Sequence, residues 1–318
     1  MMLEQTADPK ISSQSDQPPR LSPAAALLRD GLMQRWDKFA VRLDRCHKDL
    51  SELNVHDLRV SMRRMLAILL MCRAVMPGLK TKGLRRELKS HLDSLDELRD
   101  TQVMLLFMRR NFRSNEAAIP LITFLSLQEA HLLSGIGYEI EKINGESLVE
   151  KVELLRSEME QSLTGTGVAG QILAAVDESY AQVMWRRVNV NPENMPSVHA
   201  MRIAFKRFRY MLEAASPLVP PMPPSRPRVL QRYQGMMGDI QDMVVFLTFV
   251  DKFIGENPQF DVTIVRALAV QKLDERMTYF LSRIQRLNRF WRKSPGVRFP
   301  WRVGAPDKLM PEQEDVEE

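Results

Sequence analysis

The stretch Val55-His56-Asp57-Leu58-Arg59-Val60-Ser61-Met62-Arg63-Arg64 returns 143 residues later as Val198-His199-Ala200-Met201-Arg202-Ile203-Ala204-Phe205-Lys206-Arg207. In both, a histidine is followed by a cation three residues on and another seven on, the spacing of one helix face. Guanidinium groups donate in forks that match phosphate oxygens, and an ammonium supplies a mobile point charge. The chemistry this suits is holding an anion rather than breaking a bond. Two copies in one chain suggest two halves facing a common polyanion.

At about 100° per residue, Arg59 and Arg63 fall within about 60° of His56. Val55, Leu58, Met62, Met65 and Leu69 occupy the opposite, core-facing side. His199, Arg202 and Lys206 repeat the placement, beside Val198, Met201, Phe205, Phe208 and Leu212. Arg209 extends the second stripe where the first has Leu66, so the second copy is expected to hold anions more strongly. Arg64 and Arg207 lie off the stripe and are expected to be solvated or paired outside it. Asn54 and Ser197 read as helix caps, which would put each histidine in a first turn, where free N–H groups favour phosphate.

The elements that must position these residues are helices. Apolar residues recur at helical spacing over about 22–51, 55–76, 82–112, 117–143 and 146–162, then 169–189, 198–216, 226–254 and 260–293. Pro77-Gly78 closes the first basic helix, and Pro217 with the Pro220–Pro224 run closes the second. The expected fold is all-α, and breakers at equivalent places support an internal duplication. The halves are expected at 21–165 and 166–303, joined near Ser162–Gly170. Residues 1–20 and the acidic tail 304–318 read as disordered.

Excluding residues 1–20 and 312–318, the chain carries 43 basic against 32 acidic residues, a net +11. That sign points to an anionic partner. Cys46 and Cys72 are the only cysteines and form no CxxC, so both are expected to be buried thiols in a reducing compartment. Apolar runs such as Met243 to Val250 fall short of the roughly 20 residues a membrane helix needs. The amino terminus reads as polar, without a signal segment. A cytoplasmic protein with no membrane partner is expected.

The doubled His-x-x-Arg-[Ile/Val]-x-x-[Arg/Lys]-[Arg/Lys] pattern resembles the CHAD domain, the conserved-histidine α-helical domain. A second family element follows each copy: Leu95-Asp96-Glu97-Leu98-Arg99-Asp100 and Met237-Gly238-Asp239-Ile240-Gln241-Asp242. The resemblance covers about residues 22–295. It implies an all-α fold of two pseudo-symmetric helical bundles from an internal duplication with a basic channel or groove between them, and non-enzymatic binding of inorganic polyphosphate, without a cofactor or metal, in association with polyphosphate granules or phosphate storage. By position, the implied ligand residues are His56, Arg59, Arg63, His199, Arg202, Lys206 and Arg209. Asp100 and Asp242 are read as carboxylates that fix the arginines. Asp96 stands where glycine is usual and Gln241 replaces the arginine seen at Arg99, so asymmetry between the halves is expected.

Arg35, Lys38, Arg42 and Arg45 share one helical face, as do Lys272, Arg276, Arg283 and Arg286, and both sets are candidate further groove cations. Trp185 is expected in the core. His47, His91 and His131 are isolated. His56-Asp57 spells a metal-phosphohydrolase pair, but the second copy reads His199-Ala200, with no companion histidines at ligand spacing. Gly165-x-Gly167-x-x-Gly170 follows a helical pattern instead of a strand, which removes the dinucleotide reading. No Glu-x-Glu-x-Lys strand of a triphosphate-tunnel catalytic domain occurs. The alternatives are a generic polyanion or nucleic-acid binder, and a scaffold at a granule surface. The stripes offer few aromatics of the kind single-strand binders use for stacking.

Overall fold

In the computed structural model, which describes residues 21–112, 115–143, 145–163 and 167–301, ten α-helices and three short 3₁₀ turns account for the regular structure. The expectations for 1–20, for 304–318 and for the boundary at 165/166 lie outside the described residues. No strand occurs among the described residues.

Helix α1 (Pro23–Lys48) starts at Ser22, whose hydroxyl accepts from the Ala25 amide at 3.3 Å, with Pro23 at the first helical position. Its apolar stripe, Leu28, Leu32, Trp36, Phe39 and Leu43, is buried against α2 (Glu52–Val75). Two expected helices break. The 82–112 segment is α3 (Lys82–Ser94) and α4 (Asp96–Asn111), which meet at buried Leu95 with φ −92° and ψ −1°. The 260–293 segment is α10 (Thr263–Leu281) followed by a 3₁₀ turn over Ile284–Arg289. The others are α5 (Ile119–Glu141), α6 (Gly145–Ser162), α7 (Val168–Val188), α8 (Met195–Ala215) and α9 (Arg226–Glu256).

The packing does not follow the 165/166 division. The main core takes Leu32, Phe39, Met62 and Leu98 from the first half and Val176, Phe205, Phe208 and Met237 from the second. A second core joins Leu105, Met108 and Leu121 to Phe246, Val250 and Val265. Helix α2 touches both α7 and α8. The basic helices therefore meet each other inside a shared body.

Beyond α10 the chain folds back over the second half. Trp291 is fully buried and donates through Nε1 to Asp177 at 2.6 Å. The Trp301 indole donates to the Pro220 carbonyl at 3.1 Å, and the Arg226 guanidinium lies 4.1 Å from the Trp301 ring centre. Cys46 and Cys72 are free and buried, and burial pushes their thiols up to about 11 and about 12.

Glu116–Glu141, spanning α5, is long and apolar enough, by length and composition, to cross a membrane. Scanning for continuous apolar runs missed it because Thr123, Ser126, Gln128 and Glu129 interrupt the sequence. Leu121, Leu125, Ile136 and Ile140 face the protein interior, whereas Ile119, Leu127 and Tyr138 are exposed.

Candidate anion-binding site

The two basic helices begin earlier than their expected caps. Helix α2 is preceded by Ser51 and α8 by Asn194, so His56 and His199 are each the fifth helical residue. Neither lies among the free N–H groups of a first turn. Asn54, expected as a cap, instead donates its amide to the Asp49 backbone carbonyl and carboxylate, at 2.9 Å each.

Where α2 crosses α8, the two cation sets converge. Arg59 lies close enough to oppose the protonation of Arg63, Arg202 and Lys206, and Arg63 and Arg202 also act on Lys206. Burial and then Arg59 hold Arg63 down to about 10. Burial also lowers Arg202, against the opposing pull of Asp242 and Asp100. Burial followed by Arg202, Arg63 and Arg59 brings Lys206 to about 6, so its amine is largely uncharged at neutral pH. Arg63, Arg202 and Lys206 make no ion pair and no hydrogen bond among the described residues, and Arg202 Nε is buried without a partner.

Arg59 differs. It is only 4% exposed, donates to the Leu92 carbonyl at 3.3 Å, and pairs with the Asp96 carboxylate. The break at Leu95 provides both partners, since Leu92 sits at the end of α3 and Asp96 opens α4. Arg59 is therefore a paired, buried cation in this structure, not the open ligand residue expected from position. In the second copy the residue at Asp96's place is Gly238. A Cβ built on Gly238 would lie 4.0 Å from Arg202 Nε, so the equivalent arginine is reached but has no carboxylate.

The histidines also differ. His199 Nδ1 donates to Gln241 Oε1 at 2.6 Å, leaving Nε2 as the free ring nitrogen. At the matching position Arg99 pairs with Glu52 at 2.6 Å. Partial burial and then Arg99 lower the pKa of His56, which makes no hydrogen bond among the described residues. Asp100 and Asp242, expected to fix the arginines, make no ion pair or hydrogen bond among the described residues. Burial raises both pKa values, and their influence on Arg202 is through space. Asp96 and Glu52 do the pairing. Sequence reasoning missed both as partners, although the glycine-to-aspartate departure at Asp96 was the available signal.

The remaining expected cations are held elsewhere. Arg209 donates to Gln234 Oε1 at 2.8 Å and lies 4.4 Å from the Tyr210 ring centre, so it is turned to α9. Arg35 donates to the Gly31 carbonyl at 2.9 Å, Arg42 lies 3.7 Å from Asp57, and Lys38 and Arg45 are exposed. Arg64 pairs with Glu213 at 3.1 Å, outside the cluster, and Arg207 is exposed. Arg276 donates to the Asp239 carbonyl at 3.2 Å and borders the site, whereas Lys272 is half-buried. Arg283 and Arg286 follow the end of α10 and leave its stripe; Arg283 stacks 3.6 Å from the Tyr279 ring centre. Trp185 is 55% exposed and carries Arg186 at 4.6 Å, which overturns its expected core position.

The described residues form an all-α body in which two basic helices cross and leave half-buried basic side chains outside any ion pair, an arrangement suited to an anion. The CHAD domain family model matches residues 30–251, and the chain belongs to that family. Among solved structures, the CHAD domain of the plant Ricinus communis aligns with a TM-score of 0.64 at 16% identity, covering 85% of this chain and 91% of its own. PptA from Streptomyces chartreusis aligns with a TM-score of 0.58 at 17% identity, covering 83% and 100%. These likenesses concern the fold alone. No curated protein matches the chain.

Proposed function

We propose that this protein binds inorganic polyphosphate without chemically altering it, in the cytoplasm and in association with polyphosphate granules. The supporting observation is the trio Arg63, Arg202 and Lys206, drawn from both copies, half-buried and without ion pairs. Desolvation without ion pairs makes the charged forms of these side chains costly, and a chain of linked phosphates relieves that cost at several points together, charging Lys206 as it binds. The free Nε2 of His199 adds a donor when protonated.

The test is a competition among long polyphosphate, short polyphosphate, single-stranded DNA and heparin at fixed ionic strength. Long polyphosphate is expected to win, with an affinity that falls steeply as salt rises. The triple variant His199→Ala, Arg202→Ala, Lys206→Ala is expected to weaken binding at least tenfold while keeping helical circular dichroism. Equal affinity for all four polymers at matched charge would reduce the reading to general polyanion binding. Metal-dependent release of orthophosphate would replace it with an enzyme.

Nucleic acid is the second reading, favoured by two exposed aromatics that carry arginines, Trp185 with Arg186 and Tyr279 with Arg283. Base stacking on such platforms contributes about 1–3 kcal/mol per base. Preference for single-stranded DNA in the competition, lost in Trp185→Ala or Tyr279→Ala, would establish it.

A further inference from the structure

We infer that Asp96 is a built-in counter-ion that occupies Arg59 in place of a ligand anion, so that Asp96 and Gly238 together set which half of the site takes the polymer. The inference rests on the polyphosphate reading and adds a specificity-determining pair to it. Three observations carry it. The Asp96 side chain is 51% exposed and that of its partner Arg59 only 5%, so the carboxylate stands on the solvent side of the guanidinium. Arg202, the equivalent arginine, has Gly238 at the corresponding place and keeps a buried Nε without a partner. The cations are otherwise pooled, since Arg59, Arg63 and Arg202 all act on Lys206.

A carboxylate paired with a guanidinium offers the same two-oxygen face that a phosphate would. An incoming anion must therefore displace Asp96 to reach Arg59, whereas at Arg202 no carboxylate is ion-paired among the described residues, and Asp242 and Asp100 act only through space. A polymer is held first through the second copy with Arg63, and Arg59 joins only where linked phosphates raise the local anion concentration. On this inference a stronger second copy follows from Gly238 and not, as expected, from Arg209, which is tied to Gln234.

The experiment exchanges the two residues. Asp96→Gly is expected to raise affinity for long polyphosphate about tenfold, the scale of one charge-assisted hydrogen bond. It should also steepen the salt dependence by about 0.7 in log–log slope. Gly238→Asp is expected to lower affinity by a similar factor. Its added Cβ makes only ordinary contact with Arg202, and thermal unfolding checks that the variant folds. The gain from Asp96→Gly must vanish in an Arg59→Gln background, which separates release of Arg59 from a general change of field. Asp100→Asn, which removes a carboxylate that pairs with nothing, serves as the field control. Unchanged or weaker binding by Asp96→Gly, or a gain that survives Arg59→Gln, overturns the inference while leaving the polyphosphate reading intact. Failure of every protein to bind long polyphosphate overturns both.

Discussion

Lys206 is the residue in which the site's electrostatics are concentrated. Burial, with Arg202, Arg63 and Arg59 around it, lowers its ammonium from the ordinary 10.5 to about 6. Between those values the unfolded chain binds a proton that the folded, empty protein does not. This contribution to stability therefore rises with pH from about 6 to about 10 and is lost as pH falls through that window. Lys206→Met removes the penalty of a buried amine, so the empty variant is expected to be more stable at pH 7 by about 1–3 kcal/mol in urea unfolding, with a flatter pH dependence. An anionic ligand favours the charged amine, so binding near pH 7.5 should take up protons, measured by calorimetry in buffers of different ionisation enthalpy. Affinity should weaken as pH rises above about 6. Equal stability of variant and parent at pH 7, with no proton uptake, would refute this account of Lys206. The cations of the site were legible in the repeated helix because position on one helix face is local information. Their counter-ions were not: Arg59 finds Asp96 from 37 residues away and Arg99 finds Glu52 from 47.

At the scale of elements, helix existence could be read from apolar spacing, but two terminations could not. The apolar pattern runs through Leu88, Leu92, Leu95 and Leu98 with no proline or glycine, so nothing local announces the break at Leu95. Tertiary packing supplies it: Leu95 and Leu98 are both buried in the main core, and Asp96 and Glu97 open α4 where the helix dipole favours acids. The fold-back after α10 was hidden in the same way, since Phe290 and Trp291 continue an apolar pattern while lying in a turn and a bend. This segment is an integral wall of the core although it lies beyond the family match. Trp291→Ala, which empties a fully buried site and leaves Asp177 with Arg292 as its donor, is expected to cost about 3–5 kcal/mol. Trp185→Ala, at an exposed site, should cost no more than about 0.5 kcal/mol. Urea titration of both variants checks the contrast, and similar losses would contradict the assigned burial.

For the molecule as a whole, duplication of a motif in sequence does not imply duplication of a core. Arg63 and Lys206 can meet only because α2 packs on α7 and α8, and that contact belongs to neither half alone. The second core makes the same point, since α4 and α5 bury Phe107 and Leu121 against Phe246 and Val250 of α9. A fragment of either half would expose large apolar surfaces, at about 25 cal/mol for each Å² returned to water. Fragments 21–163 and 167–301 are therefore expected to lack cooperative unfolding when expressed separately, and to recover it, together with polyanion binding, when co-expressed. Thermal melts followed by circular dichroism and by hydrogen exchange would measure this. A sharp transition in the isolated first fragment would mean that the halves are independent domains, and that the cation cluster arises by docking. With a shared core, forming the cluster is part of folding: the chain cannot complete its interior without driving Arg63, Arg202 and Lys206 together. The repulsion between Arg63 and Arg202, and the discharge of Lys206 that burial and these arginines impose, are then built into the folded state, and an anion that relieves them should raise the unfolding temperature of the whole body as a single transition.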